Sequence, residues 1–267
     1  MKLIPRLSFL FGLAVSAVLP AFGKIERTVE KTFVVQPGGL LRVETQGGEI
    51  RVTPSTDGKV KVTAVQKIKA SSESEATELL KKLELTIEQN GNEISAVAKY
   101  EKSAGIIHWG SWPPVNVDFI VSVPASFATK LNTSGGGITV GDLAGKVNAR
   151  TSGGSIRLGK IGGEIDAHTS GGNVTLESAQ GEVKLGTSGG NITVGRVAGP
   201  ASLSTSGGDI KIESATGLLR ATSSGGNVSA GLAGPLAGDC SLSTSATDSA
   251  RRSESDRLSS REPTASV

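Results

Sequence analysis

The letters Thr-Ser-Gly-Gly begin at Thr133 and return at Thr151, Thr169, Thr187 and Thr205. A variant, Ser223-Ser224-Gly225-Gly226, follows at the same interval of eighteen residues. Stacked in frame, the units read TSGGGITVGDLAGKVNAR, TSGGSIRLGKIGGEIDAH, TSGGNVTLESAQGEVKLG, TSGGNITVGRVAGPASLS and TSGGDIKIESATGLLRAT. Apolar residues fall in fixed columns. Ile138 and Val140 align with Ile156 and Leu158, Leu143 with Ile161, and Val147 with Ile165, Val183 and Leu219. Alternation within each short run is the period of a half-buried strand.

A unit this short cannot bury its own apolar face, so it must lie on its neighbours. The repeat therefore predicts an all-β chain: a β-solenoid, akin to a parallel β-helix, with one eighteen-residue coil per repeat. Parallel strands stack about 4.8 Å apart, so six coils make a section roughly 29 Å long. Each coil turns at a glycine pair: Gly135 and Gly136, Gly153 and Gly154, Gly171 and Gly172, Gly189 and Gly190, Gly207 and Gly208, Gly225 and Gly226. These pairs are expected to permit a corner at positive φ and to let successive backbones turn at one place. The adjoining Thr and Ser hydroxyls are expected to bond to backbone and line up as ladders. Neither a lysine nor a helix follows the glycines, so the motif is structural and not a phosphate cradle.

Composition agrees. The 267 residues include 36 glycines and only 3% aromatics, which does not suit a core built around large rings. The first residues, MKLIPRLSFLFGLAVSAVLPAFGK, combine Lys2 and Arg6, an apolar stretch from Leu7 to Leu19, and a small-x-small site at Ala21-Phe22-Gly23. Residues 1–23 are thus expected to be a secretory signal peptide. The apolar stretch falls short of the ~20 residues that span a bilayer, and no membrane span is expected after cleavage. No cysteine follows the cleavage site, so no lipid anchor is expected. Cleavage removes Lys2 and Arg6 and no acid, taking the formal charge from +3 to +1. With no basic patch besides, the high pI gives no case for nucleic acid. Cys240, the single cysteine, cannot form an internal disulfide. It is expected in the apolar column of Val147 and Val183.

Residues 24–132 lead into or cap the solenoid. Gly47-Gly48-Glu49-Ile50-Arg51-Val52 is a degenerate copy of the later motif, and Val60 and Val62 are expected to repeat its second apolar strand. Ser72 and Glu75 form a capping box before Ala76, Leu79, Leu80 and Leu83, which share one helical face. The stretch LTIEQNGNEISAVAKY predicts a hairpin turning at Asn90-Gly91. This one short helix and the hairpin are placed at the N-terminal end, where they would cover strand edges. Residues 133–245 are the solenoid. Residues 246–267 hold Leu258 and Val267 as their only large aliphatics and are expected to be disordered. That leaves the far end uncapped and open to end-to-end self-association.

The export signal, the isolated GG-x-I-x-V copy, the helix and the train of TSGG-x-[IV] coils together resemble a bacterial family of exported, adhesin-like β-solenoid domains of unknown function. The resemblance covers roughly residues 30–245, and the polar tail departs from it. It implies a cell-envelope or secreted protein with no catalytic residues to carry over.

Chemistry is sparse in the residues themselves. The outward column Asp142, Lys160, Ser178, Arg196, Ser214 changes charge from coil to coil, as on a solvated face, and Asp118 and Asp142 have no evident partner. His168 sits at a variable outward column, far in sequence from His108, and no metal or cofactor is expected. No Phe, Tyr or Trp follows residue 127, which removes the flat aromatic platforms that bind sugars. One aromatic segment stands out, HWGSWPP, in which His108, Trp109 and Trp112 are the candidate binding residues. The alternative role for its rings is to plug the solenoid end with Phe119 and Phe127. The expected function is an exported, non-enzymatic adhesin-like or envelope-scaffold protein, periplasmic, surface-bound or secreted. Its partner is expected to be a cell-surface or envelope macromolecule, protein or polysaccharide. The alternative is a polysaccharide-active enzyme on a β-helix scaffold.

Overall fold

The computed structural model describes residues 25–101, 114–233, 239–245, 247–248 and 251–252. The signal-peptide segment, the HWGSWP stretch and most of the polar tail lie outside the described residues.

The described residues open with β1 (Ile25–Val34), β2 (Leu40–Thr45), β3 (Ile50–Ser55) and β4 (Lys59–Ile68), then α1 (Glu73–Leu80). After it come β5 (Leu83–Asn90), β6 (Glu93–Tyr100), β7 (Val115–Pro124), β8 (Ala128–Thr133) and β9 (Ile138–Val140). The repeats then supply strands in pairs: β10 (Val147–Thr151), β11 (Ile156–Ile161), β12 (Ile165–Thr169), β13 (Val174–Ala179), β14 (Val183–Thr187) and β15 (Ile192–Val197). They continue through β16 (Ala201–Thr205), β17 (Ile210–Ala215), β18 (Leu219–Ser223), β19 (Asn227–Leu232) and β20 (Cys240–Thr244). Two short strands, β21 (Thr247–Asp248) and β22 (Arg251–Arg252), pair with β19 inside the polar segment.

These strands form two sheets, of twelve and ten strands. From β9 onward each coil gives one strand to each sheet, and like strands pair in parallel: Ile156 with Val174, Val174 with Ile192, Val147 with Ile165. The solenoid is therefore wound as the repeat requires. Alternation sends every second side chain inward. Ile138, Ile156, Val174, Ile192, Ile210 and Val228 form one buried column of the twelve-stranded sheet. Ala149 and Ala167 in the other sheet are as deeply buried, in a column that continues through Leu185 and Leu203. Leu143 bridges Ile161 at the second turn, and Cys240 follows Leu219 in its column.

The N-terminal part is wound differently. The ten-stranded sheet runs β8-β2-β6-β5 at this end, and the twelve-stranded sheet runs β9-β3-β7-β4-β1. The coil made by β2 and β3 thus lies between β6 and β7 on one side and β8 and β9 on the other. All four of those strands come later in the chain. On leaving β7 the backbone passes over this occupied level to start β8. Val60 and Val62 depart from the expected second strand. They sit on β4, antiparallel to both β1 and β7 in the twelve-stranded sheet.

Helix α1 begins as its capping residues require. Ser72 has extended backbone and its hydroxyl accepts from the Glu75 N–H. The return bond is displaced by one residue, since the Glu75 carboxylate takes the N–H and hydroxyl of Ser71. Those two bonds, hydroxyl first, lower the Glu75 pKa. Ala76 is the buried residue of the helix. In the hairpin Asn90 pairs with Glu93, so the two turn residues are Gly91-Asn92, one step later than expected, with Gly91 at φ 59°. Asn92 is held there by Gln36, whose N–H and carbonyl both bond its amide.

Candidate functional site

The corner glycines act through close approach. Among the described residues positive φ occurs at Gly38, Gly58 and Gly91, at none of the paired corner glycines. This corrects the first of the two reasons expected for them and leaves the second, the stacking of successive backbones at one place. At the second glycine of each pair the backbone of one coil rests on the next. A Cβ on Gly154, Gly172, Gly190 or Gly208 would overlap the carbonyl of the corresponding glycine one coil earlier. At the first glycine the nearest atoms leave ordinary contact distance, 3.6 Å at Gly153 and Gly171. One glycine of each pair is thus demanded by packing, and the other has room for a methyl at Gly153, Gly171 and Gly189 but is tight at Gly225, where a Cβ would lie 3.2 Å from Ser206 O.

The threonine before the glycines completes the corner. Thr151 Oγ1 donates to Gly136 O at 2.8 Å and accepts from the Gly154 N–H at 3.3 Å. The same bond to the preceding coil recurs from Thr169, Thr187, Thr205, Ser223 and Thr244, and upstream from Thr45 and Thr133. A turning backbone leaves groups that sheet bonding cannot reach, and the buried hydroxyl satisfies them. The serine that follows is exposed in every coil.

A second ladder escaped the sequence reading. From Ser155 onward the residue after the glycine pair holds the next coil: Asn173 N–H donates to Ser155 Oγ, Asn191 N–H to Asn173 Oδ1, Asp209 N–H to Asn191 Oδ1, and Asn227 N–H to Asp209 Oδ1. The signal was available, since Ser155, Asn173, Asn191, Asp209 and Asn227 all carry a short side chain with an accepting oxygen. Asp118 belongs to the same scheme. Its Oδ1 accepts from the Glu49 N–H at 2.9 Å and its Oδ2 pairs with Lys67, a bond that raises the Lys67 pKa. Asp142 Oδ1 likewise accepts from the Lys160 N–H. Both acids, expected to lack partners, are bonded into the scaffold.

The candidate binding residues His108, Trp109 and Trp112 lie outside the described residues. Their proposed companions Phe119 and Phe127 are fully buried. Beside that segment Pro114 O accepts from the Lys69 N–H, and Glu101 N–H donates to Lys82 O.

The outer face of the ten-stranded sheet carries a polar cluster. Asp166 sits among Arg150 (2.7 Å), Asn148 (3.0 Å) and His168 (3.0 Å). The His168 imidazole lies across Gly186, where any larger side chain would meet it. The face continues through paired charges. Lys146 bonds Glu164, lowering the Glu164 pKa, and Glu182 raises that of Lys184. The outer face of the twelve-stranded sheet runs Arg51, Thr139, Arg157, Thr175, Thr193 and Lys211 along adjoining strands. No group of His, Cys, Asp and Glu among the described residues is arranged to hold a metal ion. No helix of the described residues is long and apolar enough to cross a membrane.

A family model described as Toastrack DUF4097 matches residues 40–263. A search of curated proteins gives no match. Among solved structures, a "putative adhesin" from Bacteroides fragilis is 14% identical, with 84% of this chain and 96% of that one covered and a TM-score of 0.48. A second "putative adhesin", from Parabacteroides merdae, is 11% identical over 84% and 95% of the two chains, with a TM-score of 0.41. A "putative lipid binding protein" from Parabacteroides distasonis is 13% identical over 84% and 95%, with a TM-score of 0.35.

Proposed function

Because the chain belongs to the Toastrack DUF4097 family, an all-β solenoid architecture, we propose that it is an exported, non-enzymatic adhesin-like protein. It presents an outer sheet face to a macromolecule of the cell surface or envelope, a protein or a polysaccharide. One observation carries this reading: from β10 to β17 the register of both sheets is kept from coil to coil, so outward side chains form straight polar columns along the axis. Such a surface meets an extended partner through many weak, repeated contacts, which add when they are rigidly spaced. Acids that could serve catalysis, Asp118 and Asp142, are spent on backbone N–H groups instead.

The test is binding of the full chain to whole cells, peptidoglycan and envelope polysaccharide. Two variants separate the faces: K130E/K184E/R220E on the ten-stranded sheet and R157E/R196E/K211E on the twelve-stranded one. Retention on at least one material, reduced tenfold or more by one variant and not the other, is expected. Absence of binding to all three materials would overturn the reading.

A further inference from the structure

The coil of β2 and β3 is the level that the chain order does not explain. Every bond it makes along the solenoid axis joins it to residues synthesised much later. Leu41 pairs with Ile94 and Thr129, and Ile50 pairs with Phe119 and Ile138. At its corner Thr45 Oγ1 donates to Val117 O, and Thr133 Oγ1 donates to Gly48 O. Ser134 and Gly135 N–H both donate to Gln46 O. The flanking β1 and β4 travel with it, since β1 pairs with β4 and β4 with β7. Residues 25–68 thus fill a slot in a body built from residues 73 onward. The covalent tie between the two is the short segment Lys69–Ser72, exposed along most of its length.

The slot is selective. A Cβ on Gly48 would overlap Val117 O, and one on Gly136 would overlap Gly48 O. Only a strand-corner-strand carrying glycine at that point, with a hydroxyl three residues before it, closes both levels. The coil of another copy meets these demands identically. Exchanged coils would make the same contacts as retained ones, so the exchange costs little beyond bringing two chains together. The order of synthesis favours it as well. When residues 40–55 have emerged, their partners at 93–140 have not, and both strand edges stand unpaired until they do.

We propose that the chain forms a dimer by exchanging residues 25–68, each copy seating its β2–β3 coil between β6/β7 and β8/β9 of the other. The proposal is independent of what the outer faces bind.

Arg42 and Lys130 are paired neighbours on β2 and β8, about 4.8 Å apart at Cα, within the range a disulfide bridges. Full chains carrying R42C or K130C alone, each with C240A and with tags of different size, are mixed in denaturant, refolded together and oxidised. The double variant R42C/K130C in one chain establishes that the pair reacts. A mixture of R42C with K211C, on the outer face of the other sheet, measures random collision. Exchange gives a disulfide between the R42C and K130C chains at least tenfold above that background, rising with protein concentration during refolding. Light scattering of the unsubstituted chain then shows a two-chain species. Crosslinking of the double variant only within single chains, together with background-level linkage in the mixture at every concentration, would overturn the proposal.

Discussion

Two ends of one column are built with the same corner by different means. In the repeats Thr169 reaches Gly154 O across a separation of 15 residues, whereas at the N-terminal end Thr133 reaches Gly48 O across 85. Glu49 meets Asp118 across 69. The hydrogen bonds are alike and the route to them is not. Local coils can be added one at a time, each on a finished template. The inserted coil requires long loops to close before any of its contacts form, which is slow and entropically costly. That end also carries features the repeats lack: buried rings at Phe33, Phe119 and Phe127, and antiparallel pairing of β1, β4 and β7.

The largest expected effect separates the two glycines of a corner and then the two ends. Gly172→Ala drives a methyl into the Gly154 carbonyl, and backbone cannot step aside as a side chain could. Its cost should exceed the ~1–3 kcal/mol of ordinary overpacking. Gly171→Ala, whose Cβ would lie 3.6 Å from the nearest backbone atoms, should stay within about 1 kcal/mol. Urea unfolding followed by circular dichroism measures both. In a linear array the damage of Gly172→Ala should split the transition, because coils on either side unfold separately. Gly48→Ala should lower a single transition, because its coil is paired with β6 and β7 on one side and β8 and β9 on the other. Identical transition shapes for the two variants would erase the distinction between the ends.

The repeats were legible because each level repeats its letters. Ile138, Ile156 and Val174 announce their column by spacing alone, and Cys240 could be assigned to the Leu219 column by counting back from Thr244. The inserted coil was half legible. The glycines at Gly47 and Gly48 mark it as a copy of the corner, but nothing in residues 40–55 states that its neighbours lie beyond residue 92. Pairing between distant strands is carried by shape and register, with no local signature. Val60 and Val62 show the same limit, since alternation reveals an inward face and not the sheet that contains it. The roles of Asp118 and Asp142 were hidden for a related reason: their partners are backbone N–H groups, which every residue but proline offers.

Hydroxyls of the same residue type should move stability in opposite directions at the two ends. Thr169→Val in the repeats leaves Gly154 O and the Gly172 N–H without their shared partner. A loss of about 1–3 kcal/mol is expected, while Thr169→Ser should be near neutral because Ser223 makes the same bonds. Thr129, at 2% exposure in the Val147 column, buries an Oγ1 with no hydrogen-bond partner among the described residues. Thr129→Val should therefore raise stability, by about 1 kcal/mol. Thermal melting of the three variants measures each shift. A destabilised Thr129→Val would mean that its hydroxyl serves the non-local end in a way the repeats do not need.

The smallest effect is electrostatic and distinguishes the ends by screening. Lys67 and Asp118 join β4 to β7, with the Asp118 side chain 15% exposed, whereas Lys146 and Glu164 in the repeats are 57% and 58% exposed. The hydrogen bond to Asp118 raises the Lys67 pKa in the folded chain. Its contribution is therefore complete below the unfolded lysine value and is lost as pH rises through the higher folded one. Melting from about pH 9 to about pH 12 should fall more steeply for the unsubstituted chain than for Lys67→Met. Glu164 has a lowered pKa, so its contribution is lost as pH falls through that value. As an exposed pair it should also fade in high salt. Equal alkaline slopes for the unsubstituted chain and Lys67→Met would place this pair with the screened ones, and the antiparallel seam would then rest on packing and backbone bonds alone.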